Sequence, residues 1–152
     1  LESMLAKGQA APDFELSGLD GLPQHLVAGT PTVLVFFKVS CPTCQLAMPY
    51  VNRLAQGSLR VLAVSQNDAA TTEKFHAHFG ITMPTVLDPE KSFAASNAYG
   101  LTNVPSLFVV EGDGTISQSL SGFSKADYAA LGERAGVAVF REGEAVPDWK
   151  AG

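Results

Sequence analysis

The chain has 152 residues, 46% of them hydrophobic and 16% charged, with a formal net charge of −5. A chain of this length fits one domain with an ample core, burying about 68–70% of its unfolded surface, and its acidic balance argues against nucleic acid, which takes a basic face. No apolar run approaches the roughly 20 residues of a membrane-spanning helix, and two cysteines three positions apart are too few and too close for a secreted disulfide scaffold.

Leu1-Glu2-Ser3 read as an addition ahead of a native start at Met4. Nothing before Met4 has the charged-then-apolar pattern of a signal peptide, which implies a cytoplasmic protein, or a periplasmic one if an export signal has been trimmed away. Between Ala11 and Leu26, the alternation Asp13-Phe14-Glu15-Leu16 followed by Gly18 and Gly21 predicts a small hairpin, with Asp13 and Glu15 facing solvent. Thr32–Phe37 is continuously apolar and β-branched or aromatic, the mark of a strand buried on both faces. From Cys41 the pattern turns helical, with Leu46, Tyr50, Val51 and Leu54 at steps of three and four until Gly57.

A second buried strand is predicted at 59–64, then a helix over 68–79 that Asp68 starts and Gly80 stops. Asp88-Pro89-Glu90-Lys91 reads as a turn between a short strand at 85–87 and a short helix at 93–99. Ser106–Val110 is another buried strand, and Glu111-Gly112-Asp113-Gly114 is a hairpin turn that returns the chain along 115–120. Ser124 caps a last helix through Ala135. The tail, 137–152, shows no period, and Pro147 and Trp149 suggest that it folds back onto the body. Phe36, Phe37, Phe75, Phe79, Phe93 and Phe108 read as core. Alternating strands and helices that finish in a hairpin and a helix predict an α/β fold around a mixed sheet, in one domain spanning residues 1–152.

The chemistry concentrates in Cys41-Pro42-Thr43-Cys44, placed where a buried strand feeds a helix. Unpaired N–H groups and the helix dipole at that point favour a thiolate at Cys41. Pro42 suits the first helical turn, where its missing N–H forfeits no bond. Cys44 lies one turn on, on the same face and deeper. Disulfide exchange needs this asymmetry, with an exposed sulfur to attack and a sheltered one to resolve the mixed disulfide. The pair itself is the redox centre, so no cofactor is expected.

Several short runs, taken in order, resemble a known family: Gly8 and Ala11-Pro12-Asp13-Phe14-Glu15-Leu16, Val33–Phe37, Ser40-Cys41-Pro42-Thr43-Cys44, Met48-Pro49, Val104-Pro105, and Gly112-Asp113-Gly114. They are similar to the AhpC/TSA–redoxin superfamily and, within it, to thiol–disulfide oxidoreductases of the TlpA/ResA type. The likeness runs from Lys7 to Ala135. It implies a thioredoxin fold with an N-terminal β-hairpin and an extra strand–helix unit between Cys41 and Pro105. It further implies that Pro105 is cis and faces Cys41, that Val104 offers its backbone to an extended substrate, that Pro42 and Thr43 border that substrate, and that Pro49 kinks the helix. The partners so implied are a protein or small-molecule disulfide and a separate electron donor.

The chain also departs from the family. Ser40 stands where an aromatic residue usually precedes the first cysteine, and Val35 and Ala47 occupy the two positions where relatives carry an acid. Cys44 therefore has no evident proton acceptor, while Lys38 is near enough in sequence to act on the site. Two other readings stay open. A peroxiredoxin-like thiol peroxidase would place a proline and a Ser/Thr seven and three residues before its cysteine, where this chain has Leu34 and Lys38 before Cys41. A copper or zinc site would draw on the cysteines with His25, His76 or His78, although His76 and His78 are two apart on one helix and point to different faces. Of these two histidines, one is expected at the surface and the other partly packed.

Overall fold

The computed structural model describes residues 4–152, so the reading of Leu1-Glu2-Ser3 as an added leader lies outside the described residues. Along the chain run β1 (Leu16–Ser17), β2 (Pro23–Gln24), β3 (Thr32–Phe37), α1 (Pro42–Leu54), β4 (Arg60–Ser65), α2 (Ala69–Phe79), β5 (Thr85–Leu87) and α3 (Ala94–Ala98). There follow β6 (Ser106–Val110), β7 (Ile116–Ser121), β8 (Phe123–Ser124), α4 (Lys125–Ala135) and β9 (Trp149–Lys150). The main sheet has the order β5-β4-β3-β6-β7. In it β3, β4 and β5 are parallel, while β6 runs antiparallel to β3 and β7 antiparallel to β6. The small hairpin predicted near the N-terminus is β1–β2.

Burial explains why β3 sits at the centre. All six of its residues are buried, and their alternation sends neighbouring side chains to opposite faces. Phe36 packs with Tyr99 and Phe108 at centroid distances of 5.4 and 5.8 Å, whereas Phe37 packs with Phe75 at 5.3 Å. Each such ring removed from water contributes about 1.5–3 kcal/mol. Two of the six phenylalanines read as core from sequence are only partly buried, Phe79 and Phe93. Phe93 precedes α3 with φ at 44°, a left-handed conformation costly for a bulky residue.

The helices begin and end where their sequence signals stand. Asp68 accepts from the Thr71 amide at 2.8 Å to open α2, and Gly80, with φ at 68°, closes it. Ser124 caps α4. Pro49 lies inside α1, where it leaves the Gln45 carbonyl without its helical donor. Between Cys41 and Pro105 the chain forms α1, β4, α2, β5 and α3. The β5–α3 pair is the additional unit the resemblance implied, and β5 forms one edge of the sheet.

The tail does return to the body. Val139 is buried, Phe140 packs on Tyr50 at 4.8 Å, and β9 pairs antiparallel with β8, Ser124 opposite Trp149. Trp149 itself points outward and is 64% exposed, so Val139 and Phe140 rather than Trp149 carry the tail's packing on the body. A two-pronged ion pair from Arg53 on α1 to Glu144, at 2.7 and 2.8 Å, holds the tail to the first helix. A second, Arg134 to Glu111 at 2.8 and 2.7 Å, ties α4 to the β6–β7 turn.

These pairs predict an acid-sensitive stability. Each arginine fork holds its glutamate near a pKa of about 2, below the roughly 4.3 of a free glutamate. Between those values the unfolded chain binds the proton first, so stability is complete above about pH 4.5 and falls as the pH drops toward 2. Both pairs are partly open to solvent, so salt weakens the effect. Thermal melts from pH 6 to 3 are expected to show a falling midpoint, with a shallower fall for Glu144→Gln, for Glu111→Gln and in high salt.

Candidate active site

Sheet register positions the site. Because Phe36 pairs with Ser106, Pro105 stands beside the end of β3, where the chain leaves the sheet toward Cys41. The Val104–Pro105 bond is cis. Cys41 is the N-cap of α1, with φ −84° and ψ 117°, and Pro42 takes the first helical position. The Cys44 amide donates to Cys41 Sγ at 3.1 Å, and the Cys41 thiol donates to the Val104 carbonyl at 3.4 Å. The first bond turns a free N–H of the first helical turn onto the sulfur, so Cys41 caps the helix.

The two sulfurs differ in depth, in the order that the helix phase requires. Both are free thiols; Cys44 is fully buried and Cys41 is 8% exposed. Cys41 is more covered than the sequence suggested, because the Val104–Pro105 segment lies against it. Burial pushes the Cys44 thiol far above the ordinary thiol range, and its hydrogen bond with Cys41 pushes the same way, with Lys38 opposing weakly. The positions where an acid was missing, Val35 and Ala47, are apolar and fully buried.

A cleft of about 520 Å³ opens beside Cys41 at the carboxyl ends of β3 and β4. Lys38, Gln66, Asn97 and Asn103 give it polar walls, with Phe93 and Leu101 among its apolar ones. Open α/β sheets place ligands outside the carboxyl ends of their strands. The local sequence does not announce the amides, because they come from the end of β4, from α3 and from the loop before Pro105, and meet only in the fold. Asn103 alone carried a local signal, two residues before Pro105.

The remaining candidates are divided. Pro42 is exposed at the lip. Thr43 is buried, and its hydroxyl donates to the Ala151 carbonyl at 2.6 Å. Gly152 follows into the cleft wall, so close to Val104 that a side chain there would meet its carbonyl at 2.5 Å. The tail therefore covers Thr43 and borders Val104, which nothing in its aperiodic sequence announced. His76 is buried and its Nε2 bonds Thr85 Oγ1 at 2.8 Å, with burial lowering its pKa, whereas His78 and His25 are exposed. Among the described residues no three His, Cys, Asp or Glu side chains gather to hold a metal, and no helix is long and apolar enough to cross a membrane.

Known proteins share this arrangement. The model of the AhpC/TSA family matches residues 7–119. The thiol-disulfide oxidoreductase ResA of Geobacillus thermodenitrificans is 32% identical over 128 residues, covering 80% of this chain and 72% of that protein. The solved thioredoxin domain of a thiol-disulfide oxidoreductase from Bacteroides vulgatus superposes with a TM-score of 0.75 at 18% identity, covering 86% of this chain and 99% of that one. The peroxidoxin BcpB of Mycobacterium tuberculosis gives 0.68 at 19%, covering 86% and 94%, so the fold itself is common to exchange and peroxidase proteins. The sheet order, the Cys41–Cys44 pair at the head of α1 and the matched family model agree: the chain has a thioredoxin fold and belongs to the AhpC/TSA family, where it is similar to thiol-disulfide oxidoreductases of the ResA type.

Proposed function

We propose that the chain is a thiol–disulfide oxidoreductase in which Cys41 attacks a substrate disulfide and Cys44 resolves the product. The observation that carries the reading is Cys41 Sγ, held by a helix amide at 3.1 Å at the mouth of the cleft, one turn from a fully buried thiol. The Cys41 thiolate bonds one sulfur of the substrate and expels the other as a thiolate. Cys44 loses its proton, bonds Cys41 Sγ and expels the second substrate sulfur. Two electrons have then moved from the dithiol to the substrate, and each released thiolate takes a proton from water. A thiol reductant outside the chain restores the pair.

Val104 and Pro105 form the platform against which an extended peptide lies, with the Val104 carbonyl as its hydrogen-bond acceptor. Pro42 is the exposed lip, and Thr43 serves by holding the tail. The polar cleft suits a peptide or a small polar disulfide rather than a purely apolar one. A cytoplasmic setting provides thiol reductants directly; an exported one requires electrons delivered across a membrane.

A thiol peroxidase is the second reading, because BcpB shares the fold and an accessible thiolate can be oxidised to a sulfenic acid. Insulin reduction and hydrogen peroxide consumption, measured side by side at equal protein, separate the two. Ready insulin reduction with poor peroxide turnover is expected, since Leu34 and Lys38 stand where a peroxide-holding proline and hydroxyl belong. Fast peroxide turnover that survives Cys44→Ser would overturn the exchange reading.

A further inference from the structure

Three parts of the fold converge on one short segment, Asp148–Gly152, which lies beyond the residues 7–119 that the family model matches. From α1, the Thr43 hydroxyl donates to the Ala151 carbonyl at 2.6 Å. From the cis-proline loop, Asn103 and Val104 stand against Gly152. A Cβ added to Gly152 would lie 2.5 Å from the Val104 carbonyl oxygen and 2.9 Å from Asn103 Nδ2. From the β7–β8 junction, Gly122, with φ at 79°, comes so close that a Cβ added to it would lie 2.5 Å from the Lys150 carbonyl oxygen. Glycine at these two positions lets the segment lie flat against the site.

The carbonyl that Gly152 packs against is the one that accepts from the Cys41 thiol at 3.4 Å. Val104 and Cys41 are each only 8% exposed. A peptide strand pairing with the Val104 backbone needs the space beside that carbonyl, and Gly152 stands in it. What stays open is the cleft of about 520 Å³, with Gly152 in its wall and Lys38, Gln66 and Asn97 among its polar groups. That volume falls among small-molecule sites, roughly 300–1,000 Å³.

The segment is held loosely. All five of its residues are exposed. Besides the Thr43 bond, it is anchored by the two-residue ladder with β8 and by the Lys125 amide, which donates to the Asp148 carbonyl at 2.9 Å. So short a ladder is marginal by itself, and segments with few buried apolar contacts open well below the free energy of global unfolding.

Building on the exchange reading above, we propose that Asp148–Gly152 is a strap that sorts substrates by size. Seated, it confines Cys41 to small polar disulfides that fit the cleft. An extended peptide or protein disulfide reaches the Val104 platform only when the strap swings off. Opening breaks the Thr43–Ala151 bond and the β8–β9 ladder and leaves both thiols in place, so it changes access and not chemistry. The two classes of substrate therefore respond differently to release of the strap.

The test compares two mixed disulfides trapped on Cys41 in Cys44→Ser, one with glutathione and one with an extended peptide carrying a central cysteine. Backbone ¹⁵N relaxation reads residues 149–152 in each. With glutathione their order parameters are expected to stay near the rigid value of about 0.85, and with the peptide to fall below about 0.6. Lys150→Pro supplies the kinetic counterpart. Because Lys125 donates to Asp148, alternation along the antiparallel ladder makes Lys150, opposite Phe123, the next hydrogen-bonded position, which a proline cannot fill. Insulin reduction by this variant is expected to rise about tenfold, as the strap-open fraction goes from about a tenth toward one. Reduction of oxidised glutathione is expected to stay within about twofold of wild type, since it does not wait for opening. A peptide adduct whose strap is as ordered as in the glutathione adduct overturns the strap and leaves the exchange reading intact. A Lys150→Pro variant with an unchanged ratio of insulin to glutathione rates does the same. A Cys44→Ser protein that forms neither adduct overturns the exchange reading itself.

Discussion

Cys41→Ser is expected to lower disulfide reduction by about 10³-fold or more, to the level of the uncatalysed thiol reaction, because it removes the atom that bonds the substrate. Cys44→Ser is expected to differ in kind. Its first step proceeds, the substrate stays attached to Cys41 and turnover stops after one equivalent, an adduct that intact-protein mass spectrometry detects. The difference follows from depth: Cys41 caps α1 at the cleft, while Cys44 is fully buried and reaches only Cys41. Limiting alkylation of the reduced wild type is expected to label Cys41 first. Preferential labelling of Cys44, or sustained turnover by Cys44→Ser, would reverse the assignment of roles.

Asp88→Ala is expected to cost about 3 kcal/mol or more, since it strips three buried donors of their acceptor at roughly 1–3 kcal/mol each. The Asp88 carboxylate is fully buried and accepts from the Ala95 amide at 3.1 Å, the Ser96 amide at 2.7 Å and the Ser96 hydroxyl at 2.6 Å. For a chain of this size the loss lowers the melting midpoint by about 6–12 °C. Asp88→Asn, which keeps one acceptor oxygen, is expected to fall between. Function suffers too, because Ser96 also accepts from Gln66 at 3.0 Å, and both residues line the cleft beside Cys41. A midpoint within about 2 °C of wild type for Asp88→Ala would show that water replaces the carboxylate and that α3 does not depend on it.

Neither residue was equally visible beforehand. Cys41 and Cys44 stand out in the sequence because their chemistry is local: three positions on a helix, just after an apolar strand, fix both their spacing and their order of depth. Asp88 reads as an ordinary turn residue, since its donors lie seven and eight positions on and reach it only when α3 folds back. Phe93 shows the converse error. An aromatic residue in a helical stretch reads as core, yet the turn from Pro89 forces a left-handed backbone and leaves its ring at the cleft wall. Trp149 was expected to cover itself with the body, and instead the tail buries Val139 and packs a partly buried Phe140 on Tyr50.

The sequence by itself determined the secondary elements, the α/β class and the reactive pair, because hydrophobic periodicity, caps and the Cys-x-x-Cys spacing act over a few residues each. Its runs also carried the family resemblance, and with it the cis bond at Pro105. Only the tertiary structure decided what surrounds the thiols. The register of β6 against β3 brings Val104 to Cys41, the return of β9 covers Thr43, and Tyr128 of α4 joins Cys44 of α1 in one core. The hydrogen bonds among these contacts join residues 63 and 108 positions apart, and no local pattern encodes them: a side chain's neighbours across the core follow from how whole elements pack.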